Sequence, residues 1–245
     1  MGALESRRAM VVGGASGIGR AIAQAFVTEG ASVVIADRNE ILAKQSAADI
    51  GATSSVGMDV TDEESVATGC DAARRTLGGI DVLVNSAGIL EQAPLCEMSL
   101  NEWRRTIEID LTGVFLVCRG VVPHMVQARS GRVINIASQL AIKGGVELSH
   151  YAAAKAGVIA FTKSLALEVS KDNVLVNAIA PGPIETPLVG RVSEEWKRAK
   201  CAELPLGRFG LPEEVAPTAV LLASDPGGNL YVGQTVGPNS GDVMP

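Results

Sequence analysis

Short runs of Val, Ile and Ala alternate along the chain with longer segments whose apolar residues recur at helical spacing. The short runs are apolar at successive positions, which indicates strands buried on both faces, as in a parallel sheet. Their regular alternation with helices predicts a doubly wound α/β fold that forms a single domain over residues 1–245. The predicted strands are residues 8–12, 32–37, 81–88, 131–138, 173–181 and 233–238, and the predicted helices are residues 21–30, 41–50, 64–77, 101–128, 151–170 and 212–224.

The segments that follow the predicted strands are rich in Gly, Ser, Asn and Pro, as in GGASGIG, NSAG and APGPIETP. In open parallel sheets, ligands bind beyond the carboxyl ends of the strands. We therefore expect these loops to line the functional site.

The loop after the first predicted strand places Gly13, Gly17 and Gly19 before a helix, with Ser16 and Ile18 among them. Glycines allow the backbone to turn tightly and to approach a pyrophosphate closely, and the N-terminus of the helix favours the anion. The spacing is G-x3-G-x-G, which differs from the usual G-x-G-x-x-G fingerprint. By itself the loop indicates either a dinucleotide site or a tight strand-to-helix turn.

Asp37 favours the dinucleotide interpretation because it ends the second predicted strand, as an adenosine-binding carboxylate would. Such a carboxylate can accept hydrogen bonds from the ribose hydroxyls of NAD and would repel the 2′-phosphate of NADP. Arg38 follows at once and could bind that phosphate instead, and Asp37 could also cap the following turn. We predict NAD as the cofactor, with NADP as the less favoured alternative.

Tyr151 and Lys155 stand four residues apart in the Ala-rich stretch SHYAAAKAG. This composition predicts a helix, on which the two side chains share one face with only small residues between them. A free tyrosine has a pKa of about 10, and a neighbouring ammonium lowers that value towards the pH at which a general acid/base works best. The pair is therefore a candidate proton-transfer group, and a pair on a helix surface is the alternative.

Charge and composition narrow the classes of partner. The chain carries 21 Lys and Arg against 27 Asp and Glu, a net charge of −6, so neither nucleic acid nor an anionic membrane is expected as a partner. No apolar run approaches ~18 residues, so no membrane span is predicted. The N-terminal residues lead at once into the first strand and leave no room for a signal peptide, which predicts a cytoplasmic protein.

The 4 cysteines form no CxxC pair, and there are 2 histidines. This favours free thiols and predicts no metal site.

Further motifs follow in a fixed order along the whole chain. They are Asp59-Val60, the segment Asn85-Ser86-Ala87-Gly88, Ser138 ahead of Tyr151, and Pro181-Gly182 followed by Ile184 and Thr186. Together with the glycine loop and Tyr151-x3-Lys155, they make the chain resemble the short-chain dehydrogenase/reductase family over essentially all 245 residues. The resemblance implies a Rossmann-type sheet and hydride transfer between a nicotinamide cofactor and a ketone or secondary alcohol.

The resemblance also implies roles for individual residues. Tyr151 would exchange a proton with the substrate oxygen, Ser138 would hydrogen-bond that oxygen, and Lys155 would also bind the nicotinamide ribose. The implied cofactor-binding residues are Gly13, Ser16, Gly17, Ile18, Gly19, Asp37, Arg38, Asp59, Val60, Asn85, Ala87, Gly88, Tyr151, Lys155, Pro181, Gly182, Ile184 and Thr186.

Asp110 departs from the family pattern, which has Asn at the fourth catalytic position. In the family that Asn is thought to act largely through its main-chain carbonyl, and such a role would survive the change to Asp. An ionised Asp110 close to Lys155 would raise the pKa of the ammonium. We keep Asp110 as a catalytic candidate, with a structural role at a bend in the helix as the alternative.

The substrate pocket is expected to draw on Gln139, Leu140 and residues 143–150 and 188–196. Within them, Glu147 and His150 are candidates to contact a polar substrate, although solvated loop residues are the more ordinary interpretation.

Two other functions stay open. One is an NADPH-dependent 3-oxoacyl-carrier-protein reductase, although Glu91 and Gln92 stand where such enzymes tend to carry a basic–acidic pair. The other is a dinucleotide-binding sensor that has lost turnover, which the intact Ser138, Tyr151 and Lys155 argue against.

The resemblance further implies a homotetramer paired through the two long helices. Apolar surface for this pairing is expected from Leu111, Val114, Phe115, Val122, Val158, Phe161 and Leu165. The C-terminal tail is expected to pack near a neighbouring subunit.

Overall fold

A computed structural model describes residues 2–190 and 194–244. Within these residues, seven strands form one sheet in which every pairing is parallel, in the order β3-β2-β1-β4-β5-β6-β7. This confirms the predicted doubly wound fold. The strands are β1 Arg8–Val12, β2 Ser32–Asp37, β3 Ser54–Gly57, β4 Val82–Asn85, β5 Gly131–Ile136, β6 Val174–Ile179 and β7 Thr235–Val236.

The central strands form where successive residues are apolar. In β1, Met10 and Val11 are fully buried, and Val11 lies opposite Ile35 of β2 on one side and Val84 of β4 on the other. Strand β3 was not predicted, because its sequence SSVG carries no apolar run and its residues are only partly buried. It forms at the edge of the sheet, where pairing with β2 supplies the backbone hydrogen bonds.

Helices lie between the strands, and most agree with the predicted ranges. They are α1 Gly17–Thr28, α2 Glu40–Ile50, α3 Glu63–Leu77, α4 Leu100–Ile107, α5 Gly113–Ala128, α6 Leu140–Lys143, α7 Ser149–Val169, α8 Glu194–Glu203 and α9 Pro212–Ala223. The helix predicted over residues 101–128 is divided by a π-helical segment, Glu108–Thr112, which contains Asp110. The short α6 and the polar α8 were not predicted.

The sheet separates two apolar layers. On one face Met10 and Leu83 pack with residues of α3, α5 and α7, such as Val66, Val117 and Val158. On the other face the strands pack with α1, α2 and α9, as in the cluster that contains Val11, Phe26, Ala43 and Leu222. With its two faces covered, the sheet exposes its carboxyl edge to ligands.

The expected intersubunit surface is only partly available. Val114, Val122 and Val158 are at most 6% exposed because they pack in the core of this chain, so their assignment to the surface was wrong. Phe115 is 41% exposed and contacts Phe161 edge to face, with ring centroids 6.5 Å apart.

Among the described residues, one helical stretch, Leu100–Ala128, is long and apolar enough by composition to cross a membrane. The sequence contains no long continuous apolar run, and for that reason no membrane-spanning segment was predicted. Half of its most apolar window is buried inside the protein. Val117 and Val121 of this stretch pack in the layer beside the sheet, as the residues of a core helix do.

Candidate functional site

A cleft of about 1280 Å³ opens at the carboxyl ends of the strands. It lies at the position where the strand order reverses between β1 and β4, which is where doubly wound sheets bind ligands. Of the predicted site residues it brings together Gly13, Ser16, Gly17, Ile18, Gly19, Asp37, Arg38, Asp59, Val60, Ala87, Gly88, Asp110, Ser138, Tyr151, Lys155, Pro181, Gly182, Ile184 and Thr186.

The glycine loop has the geometry of a cradle for a ligand. Gly13 has φ +72°, and a Cβ built there would lie 2.5 Å from the backbone nitrogen of Ala87, so the loops after β1 and β4 meet only because this residue is glycine. Gly17 has φ +52° and faces Thr186, whose Cγ2 would be 3.4 Å from a Cβ at that position. Backbone at the start of α1 is thereby left open to an anion, which fits a dinucleotide pyrophosphate.

Asp37 makes the turn-capping contact that its position left open as an alternative, and its role towards a cofactor stays a prediction. One carboxylate oxygen accepts a hydrogen bond from the Asn39 amide at 3.0 Å, as a cap of the next turn does, and the other accepts one from Ala15 in the glycine loop at 3.3 Å. The residue still lines the cleft, beside the exposed Arg38. Asp37 therefore orders the loop and presents a negative charge to a ligand.

Asp59 lies at the same end of the cleft, and its carboxylate is engaged within its own turn. The backbone amide of Thr61 donates to it at 2.9 Å and the hydroxyl of Thr61 at 2.8 Å. These hydrogen bonds hold the pKa of Asp59 below its usual value.

Asn85 does not line the cleft. It is 3% exposed and donates a hydrogen bond to the side chain of Asn135 at 2.9 Å, and Asn135 in turn donates to Thr162 at 2.9 Å. These bonds join β4, β5 and α7. The side chain of Asn85 therefore holds the strands behind the site, and a cofactor-binding role for Asn85 stays a prediction.

Ser138 and Tyr151 face the cleft from two different elements. Ser138 follows β5, and its hydroxyl oxygen accepts a hydrogen bond from the amide of Leu140 at 3.1 Å, which leaves the hydroxyl proton free to be donated. Tyr151 lies in the first turn of α7, where it is 8% exposed, and its phenol interacts with the Ser138 hydroxyl. The two oxygens therefore share one end of the cleft.

Lys155 is fixed by two acceptors. Its ammonium donates to the carbonyl of Ile136 at 3.1 Å and lies 3.3 Å from a carboxylate oxygen of Asp110. It is also 5.7 Å from the centroid of the Tyr151 ring. The predicted side-by-side arrangement of Tyr151 and Lys155 is therefore present in the structure.

The side chain of Asp110 contacts Lys155, although the main-chain role expected from the family does not need such a contact. The carboxylate is 0% exposed, and its other oxygen accepts a hydrogen bond from the amide of Ile89 at 2.9 Å. The π-helical segment that carries Asp110 turns it inwards at this point, and such segments are frequent at functional sites. Gly88 permits the approach, since a Cβ there would lie 3.0 Å from Asp110 and 3.3 Å from the Lys155 ammonium.

The pKa of Tyr151 is raised, opposite to the lowering expected from Lys155 alone. Burial is the largest cause because it disfavours the phenolate. The Lys155 ammonium lowers the pKa, and the Asp110 carboxylate raises it again.

Burial and neighbouring charges also act in opposite directions on the pKa values of the ion pair Lys155 and Asp110. Burial lowers the pKa of Lys155, but Asp110 and then Tyr151 raise it, and the net change is upwards. Burial raises the pKa of Asp110, and the Lys155 ammonium and the Ile89 amide oppose that rise. The expectation that Asp110 would raise the pKa of Lys155 agrees with these directions.

One part of the cleft, which we call the α6–α8 wall, is formed by residues 139–148 and 186–190 and by α8. Of the residues expected to form a substrate pocket, it includes Gln139, Leu140, Glu147, Leu188 and Trp196. Residues 191–193 of the expected segment lie outside the described residues.

His150 differs from expectation, because it is 1% exposed and does not line the cleft. As the neighbour of Tyr151 on a helix, it points to a different side of α7, into the protein.

Several charged residues at the cleft were not predicted. Arg105 lines it and is held by both oxygens of Glu91, at 2.8 and 3.0 Å. Lys200 of α8 also lines it, and Asp242 of the C-terminal tail contacts the α6–α8 wall of the same chain. Sequence spacing gave no signal for these contacts, because they join segments far apart in the chain.

Comparison with known proteins gives consistent findings. A family profile described as Enoyl-(Acyl carrier protein) reductase matches residues 13–241. The chain is 39% identical over 245 residues to the 3-oxoacyl-[acyl-carrier-protein] reductase FabG of Thermotoga maritima, covering 98% of this chain and 99% of that protein. It is 44% identical over 227 residues to the cis-4-hydroxycyclohexanecarboxylate dehydrogenase of Sinomonas cyclohexanicum, covering 91% of each.

Among solved structures, the crystal structure of gox2181 is similar, with a TM-score of 0.93 and 35% sequence identity. The match covers 98% of this chain and 96% of that chain. The fold is therefore shared over nearly the whole length.

Proposed function

The chain belongs to the short-chain dehydrogenase/reductase family and is an oxidoreductase acting on CH–OH groups, and we propose that it transfers a hydride between NAD and a ketone or secondary alcohol, with Tyr151 as general acid/base. The observation that supports the proposal most is the convergence of Ser138, Tyr151 and Lys155 on the cleft that also contains the glycine loop. When bound, a nicotinamide cofactor supplies the hydride donor or acceptor.

Tyr151 moves the proton in this proposal. In alcohol oxidation the substrate hydroxyl gives its proton to the phenolate oxygen as the carbon loses a hydride, and in reduction the phenol returns the proton to the carbonyl oxygen. Lys155 supports the phenolate by its positive charge, since it lowers the pKa of Tyr151 against the effect of burial. The near absence of solvent at the phenol strengthens this charge interaction.

Ser138 orients and stabilises the substrate oxygen. Because its own oxygen accepts the Leu140 amide, its hydroxyl proton is directed to another acceptor. That proton can follow the substrate oxygen as negative charge develops there, which is the kind of interaction that lowers a reaction barrier.

NAD rather than NADP is proposed as the cofactor because of Asp37. The carboxylate lines the cleft and is held in place by two backbone amides, so it cannot swing away from a 2′-phosphate at low cost. Arg38 is exposed beside it and is the residue that would favour NADP if the carboxylate were removed.

Asp37→Asn should change the cofactor preference. We expect kcat/KM with NADP relative to NAD to rise at least about ten-fold, equivalent to about 1.4 kcal/mol, because a repulsive charge is removed while the side chain keeps an acceptor oxygen. Initial rates with both cofactors measure the ratio. Asp49→Asn, which removes an exposed carboxylate from α2, is the matched control and should leave the ratio unchanged. A ratio that stays constant in Asp37→Asn would argue against this role of Asp37.

A 3-oxoacyl-thioester reductase is the second candidate function. It is supported by the identity to the Thermotoga maritima reductase over nearly the whole chain. The relative from Sinomonas cyclohexanicum points instead to a cyclic hydroxy acid.

A substrate panel separates the candidates. It contains cyclohexanol, cis-4-hydroxycyclohexanecarboxylate, the methyl ester of that acid and a 3-oxobutanoyl thioester, each assayed by the absorbance of NADH and of NADPH. Oxidation of the alcohols with NAD supports the first proposal, and thioester reduction with NADPH alone supports the second. No turnover of any compound with either cofactor, despite cofactor binding, would favour a sensor.

We also propose a cytoplasmic homotetramer, which the exposed Phe115 and its partly buried neighbour Phe161 support. Sedimentation velocity of the wild type and of Phe115→Glu tests the assembly. The variant should sediment as a smaller species, since a charge would replace apolar contact area.

A further inference from the structure

Two lysines of the α6–α8 wall converge on one carboxylate from the C-terminal tail. The ammonium of Lys143 lies 2.6 Å from an oxygen of Asp242, and the ammonium of Lys200 lies 3.0 Å from the same oxygen. Lys143 ends α6, which begins two residues after Ser138, and Lys200 belongs to α8. Asp242 therefore joins two separate segments of the wall and gathers their positive charges beside the cleft.

Asp242 is ionised in this arrangement. Its side chain is only 7% exposed, and its second oxygen accepts a hydrogen bond from the amide of Gln139. Burial by itself would raise the pKa of Asp242, but the hydrogen bonds from Lys143, Lys200 and Gln139 lower it overall. Both carboxylate oxygens therefore accept hydrogen bonds from these donors.

The two ammonium groups retain donor capacity towards the cleft. Each ammonium has three N–H donors. Within the described residues, Lys143 has one hydrogen-bond acceptor, Asp242. Lys200 contacts Asp242 and Glu203, which also lines the cleft, so these two carboxylates occupy two of its three donors and leave one free.

The other charged residues considered at the cleft are less suited to bind an anion. Arg105 is neutralised by both oxygens of Glu91. Glu147 is an exposed loop residue of the α6–α8 wall, and its carboxylate repels an anion. Its exposure to water weakens that repulsion. Lys143 and Lys200 share one oxygen of Asp242, and Lys200 also contacts Glu203, so the two ammonium groups offer the cleft N–H donors that these carboxylates leave unused.

We propose that Lys143 and Lys200 form a carboxylate subsite, so that the preferred substrate is a hydroxy acid, or the corresponding keto acid, whose carboxylate is remote from the reacting carbon. The substrate carboxylate accepts hydrogen bonds from the N–H groups that Asp242 and Glu203 leave free. Asp242 holds the two ammonium groups together in advance, which reduces the cost of ordering them on binding. The inference rests on the proposed hydride transfer and names its substrate class.

The test compares an acid with its neutral counterpart in the full-length enzyme. The probes are cis-4-hydroxycyclohexanecarboxylate and its methyl ester, and the readout is the ratio of kcat/KM for the acid to that for the ester. We expect a ratio of at least about ten in the wild type and a fall of at least about ten-fold in Lys143→Gln, since the variant loses a charge-assisted hydrogen bond to the carboxylate of the acid. Lys143→Arg should keep most of the ratio because it keeps the charge.

Lys197→Gln is the matched control. It removes one positive charge from α8, the helix that carries Lys200, but Lys197 pairs with Glu194 and does not line the cleft, so the ratio should stay at the wild-type value. A wild-type ratio near or below one would overturn the carboxylate subsite while leaving hydride transfer intact. An equal loss on acid and ester in Lys143→Gln would also overturn it, since that pattern indicates a purely structural role.

Failure of both probes and of cyclohexanol with either cofactor would instead overturn the proposed function itself. The two failures are thus distinguishable in one set of rates.

Discussion

Tyr151→Phe is expected to lower kcat for alcohol oxidation by about 10²–10⁴-fold, the range that a positioned general acid/base contributes. The substitution removes one oxygen atom from a residue that is 8% exposed, and it leaves the ring in place against Lys155. Because the phenol is the proton carrier in the proposal, the loss should appear in kcat with a comparable loss in kcat/KM. Steady-state rates in both directions measure it.

Cofactor binding provides the control for Tyr151→Phe. The glycine loop and Asp37 are unchanged, so the dissociation constant for NADH, measured by fluorescence, should stay within about three-fold of the wild-type value, which corresponds to less than 1 kcal/mol. A second comparison is Ser138→Ala, in which Tyr151 remains and a smaller loss is expected. Retention of near wild-type kcat in Tyr151→Phe would contradict the assignment of Tyr151 and would favour a different proton donor.

The parts of the fold that follow from local patterns could be predicted from the sequence. Buried strands such as Arg8–Val12 and Ser32–Asp37 contain continuous apolar runs, and helix α7 follows from its alanines. Strand β3 could not be found in this way, since SSVG has no apolar pattern and forms only because β2 offers an edge.

The same distinction applies to the site. The positions of Gly13 and Tyr151 follow from spacing within one loop or one helix, and both were predicted. The bonds of Asp242 to Gln139 and Lys143 join residues 103 and 99 positions apart, and no spacing rule reaches that far. Burial could not be inferred either, and it reverses the expected direction of the pKa of Tyr151.

The π-helical segment is a further feature that the periodicity of the long helix concealed. A continuous helix was predicted over residues 101–128, because apolar residues recur throughout. The extra residue per turn in Glu108–Thr112 changes which side chains face inwards, and Asp110 becomes fully buried against Lys155. This placement gives the chain a negative charge that an Asn would not bring.

Asp110→Asn is expected to move the pH dependence of alcohol oxidation to lower pH. The Asp110 carboxylate raises the pKa of Tyr151, so its removal lowers that pKa. The phenolate is the base in oxidation, and kcat/KM for the alcohol increases with pH as the phenol ionises. A lower pKa in the variant therefore gives faster oxidation on the acidic limb, by about ten-fold for each unit of displacement, and little change on the plateau.

Asp110→Asn should also destabilise the folded protein, because it removes the buried partner of Lys155. The Asp110 carboxylate raises the pKa of Lys155, so the ion pair loses its stabilising contribution as the pH rises through the folded pKa of Lys155. It also loses that contribution at low pH, where Asp110, whose own pKa is raised by burial, becomes protonated. Removing the carboxylate leaves a buried ammonium with the Ile136 carbonyl as its remaining acceptor among the described contacts. We expect the free energy of unfolding at pH 7 to fall by about 3–5 kcal/mol, as is usual when one partner of a buried pair is removed.

Two measurements check Asp110→Asn, and they are independent of each other. The pH profile of kcat/KM is recorded with a saturating cofactor, and urea unfolding is followed at pH 7 and again above the lysine range, where the difference between variant and wild type should shrink. Tyr151→Phe combined with Asp110→Asn should remove the acidic limb altogether, because the titrating phenol is gone. An unaltered profile in Asp110→Asn would mean that Asp110 is uncharged at the pH of catalysis, because only the charged form can raise the pKa of Tyr151.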